Sequence, residues 1–190
     1  MKRTDTEHND LCVGIDLGTT NSVLATINEK LNGDVVSKVV EIPRAVDMYS
    51  AMSGEAKLTT MKRPTLPSCI YYRQEKDYEP LVGDFAKIQY PLRPHLVARS
   101  IKSQMGKPLA EGLSCDIPDE TPAQIASRIL QHMLEEASKV YRCKITDAVI
   151  TVPANFDSAM CAATRDAAEL AGIQVKNKDG SERPVLLSEP

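Results

Sequence analysis

Residues 11–25 read Leu-Cys-Val-Gly-Ile-Asp-Leu-Gly-Thr-Thr-Asn-Ser-Val-Leu-Ala: an apolar strand, a Gly-Thr-Thr turn and a second apolar strand in immediate succession. Such a turn suits an anion. Gly18 has no Cβ, so the backbone there can approach a ligand closely and take unusual dihedrals. The N–H groups of the turn can converge on one concavity, a ready phosphate site, and Thr19 and Thr20 add hydroxyl donors. Asp16, at the end of the first strand, places a carboxylate beside that concavity. A carboxylate next to phosphate oxygens points to Mg²⁺, which keeps its waters and is held by one or two acids plus the phosphates. The same residues also fit an ordinary hairpin with a polar turn, because Gly and Thr are common turn residues.

The elements that must position this turn follow from periodicity. Residues 12–42 read as three strands, with Val13, Ile15, Val23, Leu24, Ala25 and Ile27 at apolar positions and Asn32-Gly33 as a hairpin turn. The third strand carries Val35, Val36, Val39, Val40 and Ile42, and Pro43 ends it. Residues 44–66 are polar and show no period, which predicts a loop excursion. A strand is expected over 67–72, a strand end running into a helix over 81–87, and a short helix over 97–105. Thr121-Pro122-Ala123-Gln124 is a helix start, with Thr121 as cap, Pro122 at the first helical position and Gln124 completing a capping box. Ile125, Ile129, Met133, Ala137 and Tyr141 recur every four residues, so an amphipathic helix runs from 122 to about 142. Ala148-Val-Ile-Thr-Val152 is a buried strand closed by Pro153. Asp157 or Ser158 caps the helix that follows, and Gly172 stops it. Residues 185–187 form a last strand. Strand, helix, strand in this order implies a right-handed parallel crossover and an α/β class.

The chain has 190 residues, 42% of them hydrophobic and 26% charged, in the range of a folded globular protein. That length buries about 70% of the surface exposed by the unfolded chain, enough for a stable core. A net charge of −3 with no single-sign patch argues against nucleic acid as a partner. No apolar run approaches the roughly 20 residues of a membrane helix. Residues 1–10 are polar throughout, with no signal-peptide core, and 1–11 read as a disordered terminus. Five cysteines without a C-x-x-C pair read as reduced thiols, most of them buried, in a cytoplasmic protein. His132 and Glu136, one helical turn apart, are two candidate metal ligands. Two are too few for a site, and a solvated helix face is the simpler reading.

Taken together, the motifs resemble those of the 70-kDa heat-shock chaperone family. Val13-Gly-Ile-Asp-Leu-Gly-Thr-Thr-Asn-Ser22 matches its first phosphate loop, and Gly83-Asp-Phe-Ala-Lys87 looks like its Gly-Asp-x-Ala-Lys motif. Val149-Ile-Thr-Val-Pro-Ala-Asn-Phe156 looks like its Val-Thr-Val-Pro-Ala-x-Phe motif. Thr164-Arg-Asp-Ala-Ala-Glu-Leu-Ala-Gly172 follows in place, and Ser188-Glu-Pro190 resembles its Asn-Glu-Pro. The resemblance implies an actin-like ATPase (ribonuclease H-like) lobe: a mixed sheet with flanking helices and a smaller inserted subdomain. Residues 12–42 and 118–190 would form the phosphate-binding core of that lobe, and 43–117 the insertion. By resemblance, Gly18, Thr19, Thr20 and Asn21 line the β/γ-phosphate loop of ATP and Asp16 meets Mg²⁺ through water. Lys87 sits near the γ-phosphate and orients the attacking water, a point-charge task suited to lysine. Glu189 is the second acid near metal and water, and Pro153 is the hinge that links nucleotide state to partner domains. Phosphoryl transfer rests on such positioning and charge stabilisation.

The family pattern includes a second phosphate loop, Asp-Leu-Gly-Gly-Gly-Thr, that does not occur here. The reading is therefore one lobe of a longer chaperone, inactive by itself. Expected partners are ATP and ADP, a J-domain co-chaperone, a nucleotide exchange factor and unfolded peptides bound through other domains. Cys161 stands where the family has an arginine that contacts partner domains and the J-domain, which puts that contact in doubt. Ser188 replaces the usual asparagine, and 176–183, with Asp179-Gly180, is an extra polar stretch that reads as a surface hairpin. These departures suggest a divergent bacterial-type relative. Two alternatives stay open: a sugar or glycerol kinase of the same superfold, which shares Gly-Ile-Asp-x-Gly-Thr-Thr, and a non-catalytic nucleotide-sensing scaffold. No G-x-x-x-x-G-K-[ST] loop occurs, which sets aside the P-loop enzymes.

Overall fold

The structure is a computed structural model that describes residues 11–29, 35–49, 56–73, 79–112 and 119–189. The expected turn at Asn32-Gly33, Cys115, the boundary near 118, Pro190 and residues 1–10 lie outside these. Leu11 is described and packs against the core.

The main sheet grows from the turn outward. In β1 (Cys12–Asp16) Val13 and Ile15 face inward and the residues between them face out, the period-2 alternation of a half-buried strand. The turn folds the chain back into β2 (Asn21–Glu29), antiparallel to β1, with Asp16 opposite Val23. β3 (Val35–Val39) pairs antiparallel with β2. On the other flank β1 runs parallel to β10 (Asp147–Val152), with Asp16 level with Thr151. β10 runs parallel to β11 (Leu186–Ser188), with Val152 level with Ser188. The strand order is therefore β11-β10-β1-β2-β3, a mixed sheet, with β6 (Leu66–Pro67) joined to β2 off this path.

Among the described residues two smaller sheets come from the middle of the chain. β4 (Ile42–Tyr49) and β5 (Ala56–Arg63) form an antiparallel ribbon. β7 (Cys69–Tyr71) lies between β8 (Leu81–Val82) and β9 (Val97–Arg99). The ribbon corrects the expectation of a loop over 44–66. Arg44, Asp47, Lys57 and Lys62 interrupt any apolar alternation in the sequence, yet a ribbon is held by its backbone ladder, which leaves no trace in hydropathy. It also moves a boundary: the third strand ends at Val39, and Ile42 opens β4. The short helix expected over 97–105 is β9 followed by a 3₁₀ turn, Ile101–Gln104, because Ser100 takes a left-handed φ of 56° between them.

Among the described residues three α-helices pack on this frame: α1 (Asp84–Gln89), α2 (Pro122–Tyr141) and α3 (Ser158–Leu170). α2 starts as its sequence demands. Thr121 Oγ1 accepts from the Gln124 N–H at 3.2 Å and Gln124 Oε1 accepts from the Thr121 N–H at 2.8 Å. Its stripe of Ile125, Ile129, Leu130, Met133 and Ala137 is fully buried. In α3 the Asp157 carboxylate caps the Met160 N–H at 2.8 Å. Ala167 and Ala168 are fully buried, and the small side chains let α3 lie close to α2. The β10–α3–β11 crossover is parallel, as expected. Residues 176–182 form the hairpin read from Asp179-Gly180, closed by a Lys176–Glu182 bridge. Among the described residues no helix is long and apolar enough to cross a membrane.

The expectation that most cysteines are buried is corrected. Cys69 is buried, Cys143 and Cys161 are half-buried, and Cys12 is exposed. Strand alternation decides Cys12, because Val13 and Ile15 occupy the inward positions of β1.

One polar cluster ties the small three-stranded sheet to the start of α2. The buried Tyr72 hydroxyl donates to Glu120 Oε2, and Arg128 donates to both carboxylate oxygens of Glu120. Burial first, then the bond to Glu120, raises the Tyr72 pKa well above the ordinary tyrosine value. Tyr72→Phe is expected to lower the unfolding free energy at pH 7 by about 1–2 kcal/mol, read by urea denaturation. The hydroxyl ionises later in the folded chain than in the unfolded one. Its contribution is therefore full below the unfolded value near 10 and shrinks above it. The gap between the two proteins narrows above about pH 10; a gap that stays constant there contradicts this role.

Candidate functional site

The parallel pairing brings the carboxyl ends of β1, β10 and β11 to one edge of the sheet. In open α/β sheets the crevice outside such strand ends is where ligands bind. Asp16 is the last residue of β1, Pro153 follows β10, and Glu189 follows β11. The Glu189 N–H donates to the Val152 carbonyl at 2.8 Å, so the acid is pinned directly beside Pro153. The Pro153 carbonyl in turn accepts from the Phe156 N–H at 3.0 Å in the turn that leads to α3.

A cation lies among these acids. Lys102 Nζ donates to Glu189 Oε1 at 3.1 Å and lies 3.8 Å from Asp16 Oδ1. The Lys102 side chain is 11% exposed, whereas Asp16 and Glu189 are 56% and 38% exposed. The ammonium is thus held from within and the carboxylates face outward. Thr151 Oγ1 donates to Asp16 Oδ1 at 3.5 Å. Lys102 reaches this place from the 3₁₀ turn Ile101–Gln104, anchored by the buried side chains of Ile101 and Met105 on either side of it. A lysine nearly buried beside two carboxylates is a preorganised positive charge, suited to a phosphate group that comes to the same edge.

The Gly-Thr-Thr turn borders this group. Thr19, Thr20 and Asn21 are exposed and Gly18 is half-buried. The need for glycine at 18 is steric: a Cβ there would stand 2.0 Å from the Asn21 carbonyl oxygen. The turn therefore closes on its own backbone more tightly than any side chain permits.

Lys87 is exposed on α1, a helix that packs on β7, β8 and β9, and forms no ion pair among the described residues. The structure brings Asp16 and Glu189 together, but the lysine between them is Lys102, which sequence reasoning passed over. Lys102 sits in Ser-Ile-Lys-Ser-Gln-Met-Gly, a string outside every motif quoted above. The available signal was a lysine directly after one apolar residue and three before another, just ahead of a glycine. Cys161 lies half-buried in the first turn of α3, where its N–H donates to the Asp157 carbonyl at 3.0 Å. Among the described residues no group of three or more His, Cys, Asp or Glu side chains is set to hold a metal ion.

Comparison with known proteins adds an independent line. A family profile described as "Hsp70 protein" matches residues 59–177. The chaperone protein DnaK of Mesomycoplasma hyopneumoniae is 37% identical over 168 residues, which is 88% of this chain and 23% of that protein. The chaperone protein DnaK of Mycoplasmopsis agalactiae is 35% identical over 87% of this chain, and that of Ureaplasma parvum 35% identical over 88%. In each case the chain spans 23% of the relative's length.

Gly18→Ala tests the turn. The clash is with backbone, which cannot swing aside, so the substitution is expected to lower stability by about 1–3 kcal/mol, the range for overpacking. A thermal melt followed by circular dichroism reads this. A melting temperature equal to that of the unsubstituted chain contradicts the steric account of the turn.

Proposed function

This chain belongs to the Hsp70 protein family, and from that premise we propose that it forms the phosphate-side lobe of an ATP-binding and ATP-hydrolysing domain in a bacterial-type molecular chaperone. The observation that carries the proposal is the seat of Lys102 between Glu189 and Asp16 at the carboxyl ends of parallel strands. The lobe is read as an actin-like ATPase lobe. Its core is residues 12–42 with 118–190 and its insertion 43–117, a division supported by the main sheet drawing β1, β2, β3, β10 and β11 from the first set.

The proposed roles follow from charge and reach. The N–H groups and hydroxyls of Gly18, Thr19, Thr20 and Asn21 receive the β- and γ-phosphates. Lys102 meets the γ-phosphate and orients the attacking water. Lys87 is the second candidate for that role, on its motif alone; burial and the two carboxylate neighbours favour Lys102. Asp16 and Glu189 hold waters at the reacting edge. Pro153, bonded through Val152 to Glu189, is the proposed hinge that passes nucleotide state to partner domains. Mg²⁺ fits this edge: two outward-facing carboxylates, with no third acid grouped with them among the described residues, match an ion held through waters and phosphates. When bound, it supplies charge neutralisation of the phosphates.

A J-domain co-chaperone, a nucleotide exchange factor and unfolded peptides are proposed partners of the whole protein, and the cytoplasm its compartment. With Cys161 in place of the arginine the family uses, the J-domain contact is proposed to be weakened. Neither a sugar kinase nor a non-catalytic scaffold is favoured by any feature of the site.

Calorimetric titration of the 190-residue chain with Mg-ATP tests the assignment. The unsubstituted chain is expected to bind more weakly than about 1 μM, because its phosphate contacts face water, where charge interactions are weak. Lys102→Ala is expected to weaken binding at least tenfold, the size of a lost hydrogen bond to a charged group, and Lys87→Ala less than about twofold. Equal affinity in Lys102→Ala and the unsubstituted chain overturns the role of Lys102. Sub-micromolar binding by the unsubstituted chain shows that the rest of the relatives' length is not needed for the site.

A further inference from the structure

Residues 66–69 run as a strap between the Gly-Thr-Thr turn and α1. On the turn side, Leu66 and Pro67 pair with Ser22 and Asn21 at the start of β2. The Ser68 N–H donates to the Thr20 carbonyl at 2.9 Å. Ser68 Oγ and Ser22 Oγ share a hydrogen bond of 2.8 Å, and both serines are buried. On the α1 side, the Gly83 N–H donates to the Cys69 carbonyl at 2.9 Å, and Cys69 Sγ donates to the Gly83 carbonyl at 3.4 Å. Gly83 has a φ of +81°, and a Cβ on it would stand 2.6 Å from Leu66 Cδ1.

A buried hydroxyl is tolerated only when it is bonded. Each of these two has the other as partner, so the contact fixes both where the strap lies along β2 and how the turn leaves it. An apolar pair in the same place would fill the space without fixing either.

We propose that Ser22 and Ser68 are positioning residues for the anion turn, and that Gly83 braces the strap that carries Ser68. The Gly83-Asp-Phe-Ala-Lys87 motif then serves the turn through packing at its glycine. The functional half of this proposal rests on the turn being a phosphate site; the mechanical half does not.

Amide hydrogen exchange in the 190-residue chain tests the mechanical half. The N–H of residue 68 reports the strap, and amides of residues 129–134 in α2 report global opening. Ser68→Ala leaves the Ser22 hydroxyl buried without its partner. It is expected to speed exchange at residue 68 by about tenfold while the α2 amides stay unchanged. Ser22→Ala is expected to do the same. The double variant is expected to be no faster than the faster single one, because the first substitution already breaks the shared bond. Unchanged exchange at residue 68, additive acceleration in the double variant, or equal acceleration at residue 68 and in α2 each overturns the proposal.

Mg-ATP titration followed by the amide shifts of residues 18–21 tests the functional half. In Ser68→Ala the dissociation constant is expected to rise severalfold at a temperature where α2 is intact. An unchanged constant overturns the positioning role. An absence of shifts in the unsubstituted chain overturns the phosphate reading itself, and the exchange data then judge the strap alone.

Discussion

The parallel register of β1, β10 and β11 is the constraint from which the rest of the site follows. It sets Asp16 level with Thr151 and Val152 level with Ser188, so an acid, a proline and a second acid leave the sheet at one edge. Two carboxylates facing outward at such an edge repel one another unless a cation intervenes. Lys102 is that cation, and its burial means that the protein holds the charge in place before any ligand arrives. The register in turn depends on hydrophobic alternation. Val13, Ile15 and Ile150 are fully buried, and a slip of one residue would turn each of them to water.

Much of this frame was legible in the sequence because its signals are local. A glycine that cannot carry a Cβ, a Thr-Pro-x-Gln helix start, an Asp helix cap and a strand–helix–strand order each lie within a few residues of one another. The helix start, the helix cap and the strand–helix–strand order stand in the structure as expected, whereas the glycine is required by the Asn21 carbonyl oxygen rather than by the approach of a ligand. Asp16 and Glu189 were legible for the same reason, since each sits in a short recognisable string. The ribbon β4–β5 was not. Its two strands find each other through backbone hydrogen bonds, and their charged residues hide any period. Lys102 was not legible either. Nothing next to it in the chain marks it, and its neighbours Asp16 and Glu189 are far from it in sequence. Cys12 shows the limit of composition: a residue type that is commonly buried lies exposed because the strand's alternation assigns it outward.

The two ends of the Gly83–Lys87 motif are placed differently. Its lysine is exposed, while its glycine is packed against Leu66 and bonded to Cys69. Whatever its lysine does, the glycine of this motif holds the backbone strap that runs along the turn. The same division of labour runs through the site. Gly18 and the Ser22–Ser68 pair shape the turn, Ile101 and Met105 anchor the lysine, and the groups free to meet a ligand are few.

We propose that Lys102, rather than the motif lysine Lys87, supplies the positive charge at the phosphate edge. Nitrogen-detected spectra of the lysine ammonium groups, recorded as Mg-ATP is added to the chain, test it most directly. The account predicts that the Lys102 Nζ resonance shifts saturably and is protected from solvent exchange while that of Lys87 keeps the position of a solvated lysine. A shift of Lys87 with Lys102 unmoved would contradict it.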